Sequence, residues 1–425
     1  MKDTARKKDG RQESPNIAQF ALAAMFEARE TLYETVIHAG MSVLAGLLED
    51  DRTRLCGRRY EHDRDRRVTR AGHTEGELAF GGRHIRVRRP RARSRDGEEV
   101  TLPTWRHFAD ADPLTPRAVE QMVLGVSTRN YKRSLEPTPA GIVSRGTSKS
   151  AVSRRFVNAT EQTLTEMMGR DLSALSICAL IFDGIHVNDH LVVIALGIDE
   201  HGEKHVLGLH EGATENESVC KALIEDLIAR GVRNDRSRLF VIDGSKALAA
   251  AIRKAFGKRA LIQRCQVHKR RNVEDHLPES MKKQVGRTMS AAYRCGNFER
   301  AKRMLNALAR QLERKHPSAA ASLREGLDET LTVMRFGLPA GLERVLSTTN
   351  AIEFVNSRIR KTTHNVTKWN GGTMVLRWVA VALVEVSKTF RKLRGYKAMP
   401  SLVAALRAHE AALDPNSIDQ STEAA

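Results

Sequence analysis

Apolar residues recur along this chain with two periods, and the points where the period changes mark its parts. Over residues 15–50, Phe20, Leu22, Met25 and Phe26, then Leu32, Val36, Ile37, Leu44 and Leu47, fall at roughly helical spacing and predict an amphipathic helix. Residues 51–70 carry almost nothing but charge and are expected in solvent or on a phosphate surface. GELAF and RHIRVRR then flank Gly81-Gly82, a pair that accepts the positive φ angles of a tight turn, so a small β-hairpin is expected. Residues 115–170 read as a compact helical unit. Thr115-Pro116 opens a helix with Pro in its first turn, and Val119, Met122 and Val123 form its inward stripe. In GTSKSAVSRRF, Ser148 would cap a further helix, with Ala151 and Val152 inward and Lys149, Ser153, Arg154 and Arg155 outward.

At Leu172 the period shortens. SICALIF, HLVVIALGID and KHVLGLHEG read as strands separated by polar turns such as Asp199-Glu200-His201-Gly202. A helix in NESVCKALIEDLIARG, the strand LFVID, a helix in ALAAAIRKAF and the strand ALIQRC follow. Strands joined first by tight turns and then through helices predict a mixed five-stranded sheet, and this α/β order resembles ribonuclease H. Between about 270 and 346 the pattern is helix on helix, broken near Pro317 and Pro339, which reads as an all-α insertion domain. Helices at 374–393 and 400–410 would cover the sheet or mediate subunit contact, and SIDQSTEAA is expected to fray. The expected division is 1–110, a basic helical and hairpin region; 111–171, a helical unit; 172–270 and 347–398, two parts of the sheet domain; 271–346, the insertion; and 399–425, a final helix and tail.

Composition adds a partner. At 425 residues with 41% hydrophobic positions the chain can build several cores, which excludes disorder throughout. Seventy Lys and Arg against 51 Asp and Glu leave a formal charge of +19, and nucleic acid is the first anionic partner to consider. Seven Arg lie between 83 and 95; Arg83, Arg86, Arg88, Arg89 and Arg91 either form a solvated face or contact a DNA backbone. On the same reasoning Lys149, Arg154 and Arg155 sit either on a helix-turn-helix recognition helix or on an ordinary bundle. Cys56, Cys178, Cys220, Cys265 and Cys295 are odd in number and scattered, as expected of reduced thiols in a cytoplasm. The first fourteen residues lack the apolar core of a signal peptide, and the apolar run from Met374 is broken by Arg377, so no membrane association is expected.

Three carboxylates carry the candidate chemistry. Asp183 in SICALIFDGIHV and Asp243 in RLFVIDGSKAL each end an apolar β-type run and precede Gly, which brings charge to the rim of a sheet and not into it. Either Asp alone is an ordinary strand-end residue; two on neighbouring strands would repel and favour bound cations. Glu353 lies in STTNAIEFVNSRIRK, where two readings stay open. Asn350 and Glu353 have capping-box spacing, yet Glu353, Asn356 and Arg360 share another face than the buried stripe of Ile352, Val355 and Ile359, one that could meet substrate. Cys265-Gln-Val-His268 lacks the second ligand pair of a zinc site; followed by Lys269, Arg270, Arg271 and Asn272, it is expected to face substrate. Trp369 either stacks on a base or anchors a core.

Together Asp183-Gly, Asp243-Gly, Cys265-x-x-His268 with KRRN after it, and TTNAIEFVNSRIRK resemble the DDE transposases of mutator-type bacterial insertion sequences. A weaker echo is present in RRYEHDRDRR and VRRPRAR. The resemblance implies that Asp183, Asp243 and Glu353 bind two Mg²⁺ ions, with Mn²⁺ substituting, and that the chain cleaves DNA at terminal inverted repeats and joins it to target DNA by transesterification without a covalent protein intermediate. It implies that Cys265 and His268, with Asn350, Asn356 and Arg360, organise the site and nearby DNA, and that a dimer or larger assembly forms the synaptic complex at the bacterial nucleoid. The Arg-rich 83–95 segment departs from many relatives. A DNA-binding regulator without catalysis and a structure-selective nuclease of the same fold are the alternatives.

Overall fold

The computed structural model describes residues 17–61, 63, 65–110, 113–138, 142–212 and 216–413. The tail from Ser417, the first fourteen residues and the side chains of Phe20, Leu22, Met25 and Phe26 lie outside the described residues. Two compact units make up the chain, residues up to 122 with 126–156, and residues 123–125 with 157–425.

The first unit contains helix α1 (Ile17–Cys56), the hairpin β1 (Val68–Phe80) and β2 (Arg83–Ser94), the short strand β3 (Glu99–Val100), helices α2 (Pro103–Asp110) and α3 (Leu114–Val123), strand β4 (Ser144–Arg145), and the start of α4 (Lys149–Gly169). The hairpin turns as expected on Gly81 and Gly82, at φ +56° and +82°. Period-two alternation on β2 buries Ile85, Val87 and Ala92 and leaves Arg86, Arg88 and Arg93 exposed. Leu48, Cys56, Ala92 and Leu102 form a core beneath.

Three local expectations are corrected here. The helix runs on through the charged stretch to Cys56, and Asp51 and Arg52 are buried because both find partners. The Asp51 carboxylate accepts the Thr104 N–H at 2.6 Å, and Arg52 donates to the Gly72 carbonyl at 3.0 Å. On α3 the i,i+4 pair Leu114 and Ala118 takes the inward face, while Val119, Met122 and Val123 are only half-buried. Residues 124–148, with a 3₁₀ turn at Tyr131–Ser134 and strand β4 paired to β2, separate α3 from α4, so the short turn of a helix-turn-helix is absent at this place. Ser148 does accept the Ala151 N–H, at 3.3 Å, at the start of α4.

The second unit is a mixed sheet clad with helices. Strands β5 (Ile177–Val187), β6 (His190–Asp199), β7 (Lys204–Gly212), β8 (Arg238–Ile242) and β9 (Ala260–Arg264) lie in the order β7-β6-β5-β8-β9. The β5/β6 and β6/β7 pairs are antiparallel and the β5/β8 and β8/β9 pairs parallel. Helices α5 (Glu217–Ala229) and α6 (Lys246–Phe256) provide the parallel crossovers and pack with Leu180, Phe182, Phe240 and Ile242 on one face.

Helices α7 (Gln266–Glu274), α8 (Glu279–Tyr293), α9 (Phe298–Glu313), α10 (Pro317–Arg324), α11 (Thr332–Arg335) and α12 (Ala340–Leu346) then intervene before the chain returns to the sheet. Residues of α7–α11 bury a core of their own, with Met289, Leu305, Ala309 and Leu323 near its centre. Helices α13 (Asn350–Thr363), α14 (Gly372–Ser387) and α15 (Met399–Leu413) cover the second sheet face, where Ala179, Ile181, Leu239 and Val241 meet Ile352, Val355 and Ile359. No described helix is long and apolar enough to cross a membrane.

Candidate active site

Strand parity decides where Asp183 points. Side chains alternate across a strand, so Asp183 shares its face with Ala179, Ile181 and Ile185, all of which pack toward α13. The parallel β5/β8 register pairs Ala179 with Leu239 and Ile181 with Val241. The same offset carried two residues further sets Asp243, just past β8, beside Asp183. Gly244 follows at φ +116°, and a Cβ there would lie 2.3 Å from Arg264 Nε, so this turn requires glycine.

Burial pushes the Asp183 carboxyl up to about 6, with Asp243 and Glu353 adding their like charge. His268 and a hydrogen bond from Asn356 pull the other way. The Asn356 Nδ2–H donates to Asp183 Oδ2 at 2.7 Å, although Asn356 sits one α-helical turn from Glu353 on α13. Asn356 is 1% exposed, and its Oδ1 is buried with no hydrogen-bond partner among the described residues.

Glu353 does turn toward the start of its helix, but not as a capping box from Asn350. The N-cap residue of α13 is Thr349, without a side-chain cap bond, and Asn350 is exposed. The fully buried Thr349 hydroxyl lies 3.3 Å from Glu353 Oε1, 3.3 Å from His268 Nδ1 and 3.3 Å from Cys265 Sγ. Its N–H donates to the same sulfur at 3.4 Å, and His268 Nε2 reaches Glu353 Oε1 at 3.5 Å. Burial pushes the Cys265 thiol up, but hydrogen bonds with His268 and Thr349 outweigh it and hold the thiol below its ordinary value. The bond to Cys265 raises the His268 imidazole by more than burial depresses it. Thr349 is the residue that sequence reasoning missed. Nothing in the TTN run announces a contact with residues 84 positions away.

The remaining expected residues divide by exposure. Arg360 and Arg271 are exposed, as are Arg86, Arg88, Lys149 and Arg154 in the other unit. Arg86 pairs with Glu75 at 3.2 Å, and Arg89 and Arg91 both bind Glu99. Arg270 reaches Ser290 Oγ at 3.2 Å and Glu274 at 3.5 Å. Arg155 is half-buried, donating to the Gly146 carbonyl at 2.7 Å beside His84. Trp369 is half-buried against the α13–α14 core, edge-on to Trp378 at 6.5 Å. Two expectations fail here. Arg83 is 9% exposed and spent on Thr138 Oγ1 and the Glu136 carbonyl, and Lys269 is 0% exposed and donates to the Ser322 and Glu325 carbonyls. The Lys269 ammonium is closed to solvent, and both terminal nitrogens of Arg83 are engaged within the protein.

Among the described residues, one trio of potential metal ligands has its ligand atoms within 4.8 Å of one another: Asp199, Glu203 and His205. That trio is explained by its turn, since Asp199 accepts the His201 and Glu203 N–H groups and His205 Nε2. Asp183, Asp243 and Glu353 do not form such a trio. Three carboxylates with the unpartnered Asn356 Oδ1 nearby form a hard-oxygen donor set of the kind Mg²⁺ and Mn²⁺ prefer.

Comparison with known proteins covers most of the chain. Residues 11–392 match the family model described as "Transposase, Mutator family". The chain is 28% identical over 385 residues to the transposase for insertion sequence element ISRM5 of Rhizobium meliloti, covering 88% of this chain and 91% of that protein. It is 25% identical over 356 residues to the transposase for insertion sequence element IS256 in transposon Tn4001 of Staphylococcus aureus, covering 81% and 88%. With the transposase for insertion sequence element IS406 of Burkholderia multivorans it shares 31% identity over 199 residues, about half of each chain (47% and 50%).

Proposed function

The chain belongs to the Mutator family of transposases, and on that premise we propose that it binds the terminal inverted repeats of an insertion sequence, cleaves the DNA there and joins it to target DNA, with Asp183, Asp243 and Glu353 as its catalytic carboxylates. The observation that carries this reading is the meeting of Asp183, within β5, and Asp243, just past the end of the neighbouring strand β8, where burial and then the like charges of Asp243 and Glu353 push the Asp183 carboxyl up. A buried carboxylate pushed up by the like charge of its neighbours is a costly arrangement unless cations sit between them. The β7-β6-β5-β8-β9 order supports a ribonuclease-H-like domain, split by the helical insertion that precedes Glu353.

Asp183, Asp243 and Glu353 would hold two Mg²⁺ ions, with Mn²⁺ as a substitute. When bound, such ions stabilise charge on the attacking and leaving oxygens of a phosphodiester. The protein's own part is orientation. Asn356 fixes one oxygen of Asp183, while Thr349 and His268 fix Glu353 Oε1. Arg360, two turns along α13 from Glu353, and Arg271 are exposed cations suited to the DNA backbone. Lys149 and Arg154, with the exposed outer face of β2, supply the same chemistry in the first unit. Joining two element ends requires two active sites, so a dimer or larger assembly working on the nucleoid in the cytoplasm follows from the reaction.

Strand transfer of a terminal-repeat oligonucleotide in Mg²⁺ tests this. Asp243→Asn should abolish transfer while leaving DNA binding intact. Undiminished transfer overturns the assignment, and loss of binding together with transfer would point to misfolding, which a melting curve detects.

A further inference from the structure

The end of the sheet remote from the carboxylates, where β5 and β8 begin, holds a second polar site. A cavity of about 320 Å³ opens where β5 and β8 begin, under α15. Asp183 is five residues along β5 from Cys178, which lines the cavity, so the two sites are roughly 16 Å apart along the strand. The wall is basic, with Arg233, Arg236, Arg238 and Arg407 set against Glu200 and Glu410.

Two of these arginines are answered locally. Arg233 pairs with Asp235 at 2.6 Å and Arg236 with Glu410 at 2.9 Å. Arg238 is not. It is 7% exposed, and its Nε–H donates to the Arg233 carbonyl at 3.0 Å, but no carboxylate among the described residues lies within ion-pair distance of it. Beside it Ser237 is 5% exposed; its N–H donates to Glu410 at 3.0 Å, while its hydroxyl is buried without a partner. A buried guanidinium that Asp235 and Glu410 offset only at a distance, and a buried hydroxyl without a partner, are both costly, and both line one cavity. An anion rich in oxygen acceptors relieves both costs at once. A guanidinium fork with a neighbouring hydroxyl matches the geometry of a tetrahedral phosphate.

We propose that this cavity is a phosphate site, built by Ser237, Arg238 and Arg407, that takes a backbone phosphate of nucleic acid or a free phosphate. Its place at the far end of the sheet means that DNA held there is a stretch other than the one lying on the carboxylates. The inference does not depend on the carboxylate assignment.

Calorimetric titration of the full chain with inorganic phosphate tests it. One phosphate should bind per chain, and Arg407→Ala, which removes an exposed side chain without risk to the fold, should weaken binding at least tenfold. Arg238→Gln should do the same, whereas Arg303→Ala, at an exposed arginine that does not line the cavity, should have no effect. Absence of phosphate binding, or equal weakening by all three substitutions, overturns the site. Binding of duplex DNA over a range of salt then distinguishes the occupants. If a backbone phosphate is held, Arg407→Ala lowers the slope of log K against log salt by about 0.9. An unchanged slope with lost phosphate affinity assigns the cavity to a free phosphate.

Discussion

Replacing Asp183 by Asn should stabilise the metal-free protein, as expected where a proposed catalytic carboxylate is held in surroundings that disfavour its charge. In the folded chain the Asp183 carboxyl titrates at about 6, from an ordinary value of 3.8, chiefly because it is buried and secondly because Asp243 lies beside it. The folded state therefore holds an extra proton between roughly pH 4 and pH 6, and this stability is lost as pH rises through the folded value. A shift of about two units corresponds to on the order of 2–3 kcal/mol at neutral pH. Asn keeps the acceptor that Asn356 needs and carries no charge, so Asp183→Asn should raise the melting temperature in EDTA at pH 7.5 by roughly 4–6 °C. Calorimetry at pH 4 should show almost no difference between the two proteins, with the gap opening toward pH 6 and constant above pH 7. Mg²⁺ at a hundred times its dissociation constant adds about 2.7 kcal/mol to the wild type and should close the gap, while adding little to the variant. A gap of the same size at pH 4, or equal stabilisation of both proteins by Mg²⁺, would refute the reasoning.

Thr349→Val keeps the volume but removes the hydroxyl shared by Cys265, His268 and Glu353, so it should cost roughly 1–3 kcal/mol and depress strand transfer; Thr349→Ser should restore most of both, and equal behaviour of the two variants counts against a hydrogen-bonding role. Gly244→Ala sets a Cβ against Arg264 at a positive φ and should cost about 1–3 kcal/mol in a denaturant melt, whereas an unchanged midpoint would show that the turn relaxes freely. Arg88→Ala and Arg154→Ala, at exposed positions, should each lower the salt slope of DNA binding by about 0.9 in fluorescence anisotropy without moving the melting temperature. Arg83→Ala should show the reverse, a lower melting temperature with an unaltered salt slope, because its guanidinium serves Thr138 and Glu136.

The sheet was legible because each strand advertises itself by period and composition; Asp243 does lie just past the end of β8, but β5 runs on through Asp183-Gly184 to Val187, so Asp183 sits within its strand and not at its rim. The basic cluster after Cys265 misled for the opposite reason. Lys269, Arg270 and Arg271 look alike as letters, yet Cys265, Lys269 and Val273 are all fully buried at four-residue spacing, so the lysine lies on the inward stripe of α7. That spacing was available in the sequence. Its cost shows in the Lys269 ammonium, which burial, with Arg264 beside it, pushes down to about 8. Arg83 misled similarly, since the outward face of β2 begins only at Arg86. The contacts of Thr349 leave no trace in spacing, because they join segments from opposite sides of the insertion.

That insertion solves a placement problem. Glu353 comes 110 residues after Asp243, and a helical excursion of that length has no reason to return its end to within one hydrogen bond of β9 unless the return is fixed. It is fixed at the edge strand. The Thr332 hydroxyl donates to the Ile262 carbonyl at 2.6 Å, and the fully buried Gln263 accepts the Val333 N–H at 2.8 Å while donating to the Thr330 carbonyl at 2.8 Å. Gln266 then donates its N–H to the Ser347 carbonyl at 3.0 Å, two residues before Thr349. The far end of the insertion is thus held to the strand that leads into Cys265. The insertion's core, through Leu331 and Met334, reaches the same segment that grips β9. The Cys-x-x-His and TTN segments are therefore two halves of one joint, and Gln263→Leu, which unmakes the joint without touching a carboxylate, should lower strand transfer more than a substitution of equal thermal cost inside the insertion core.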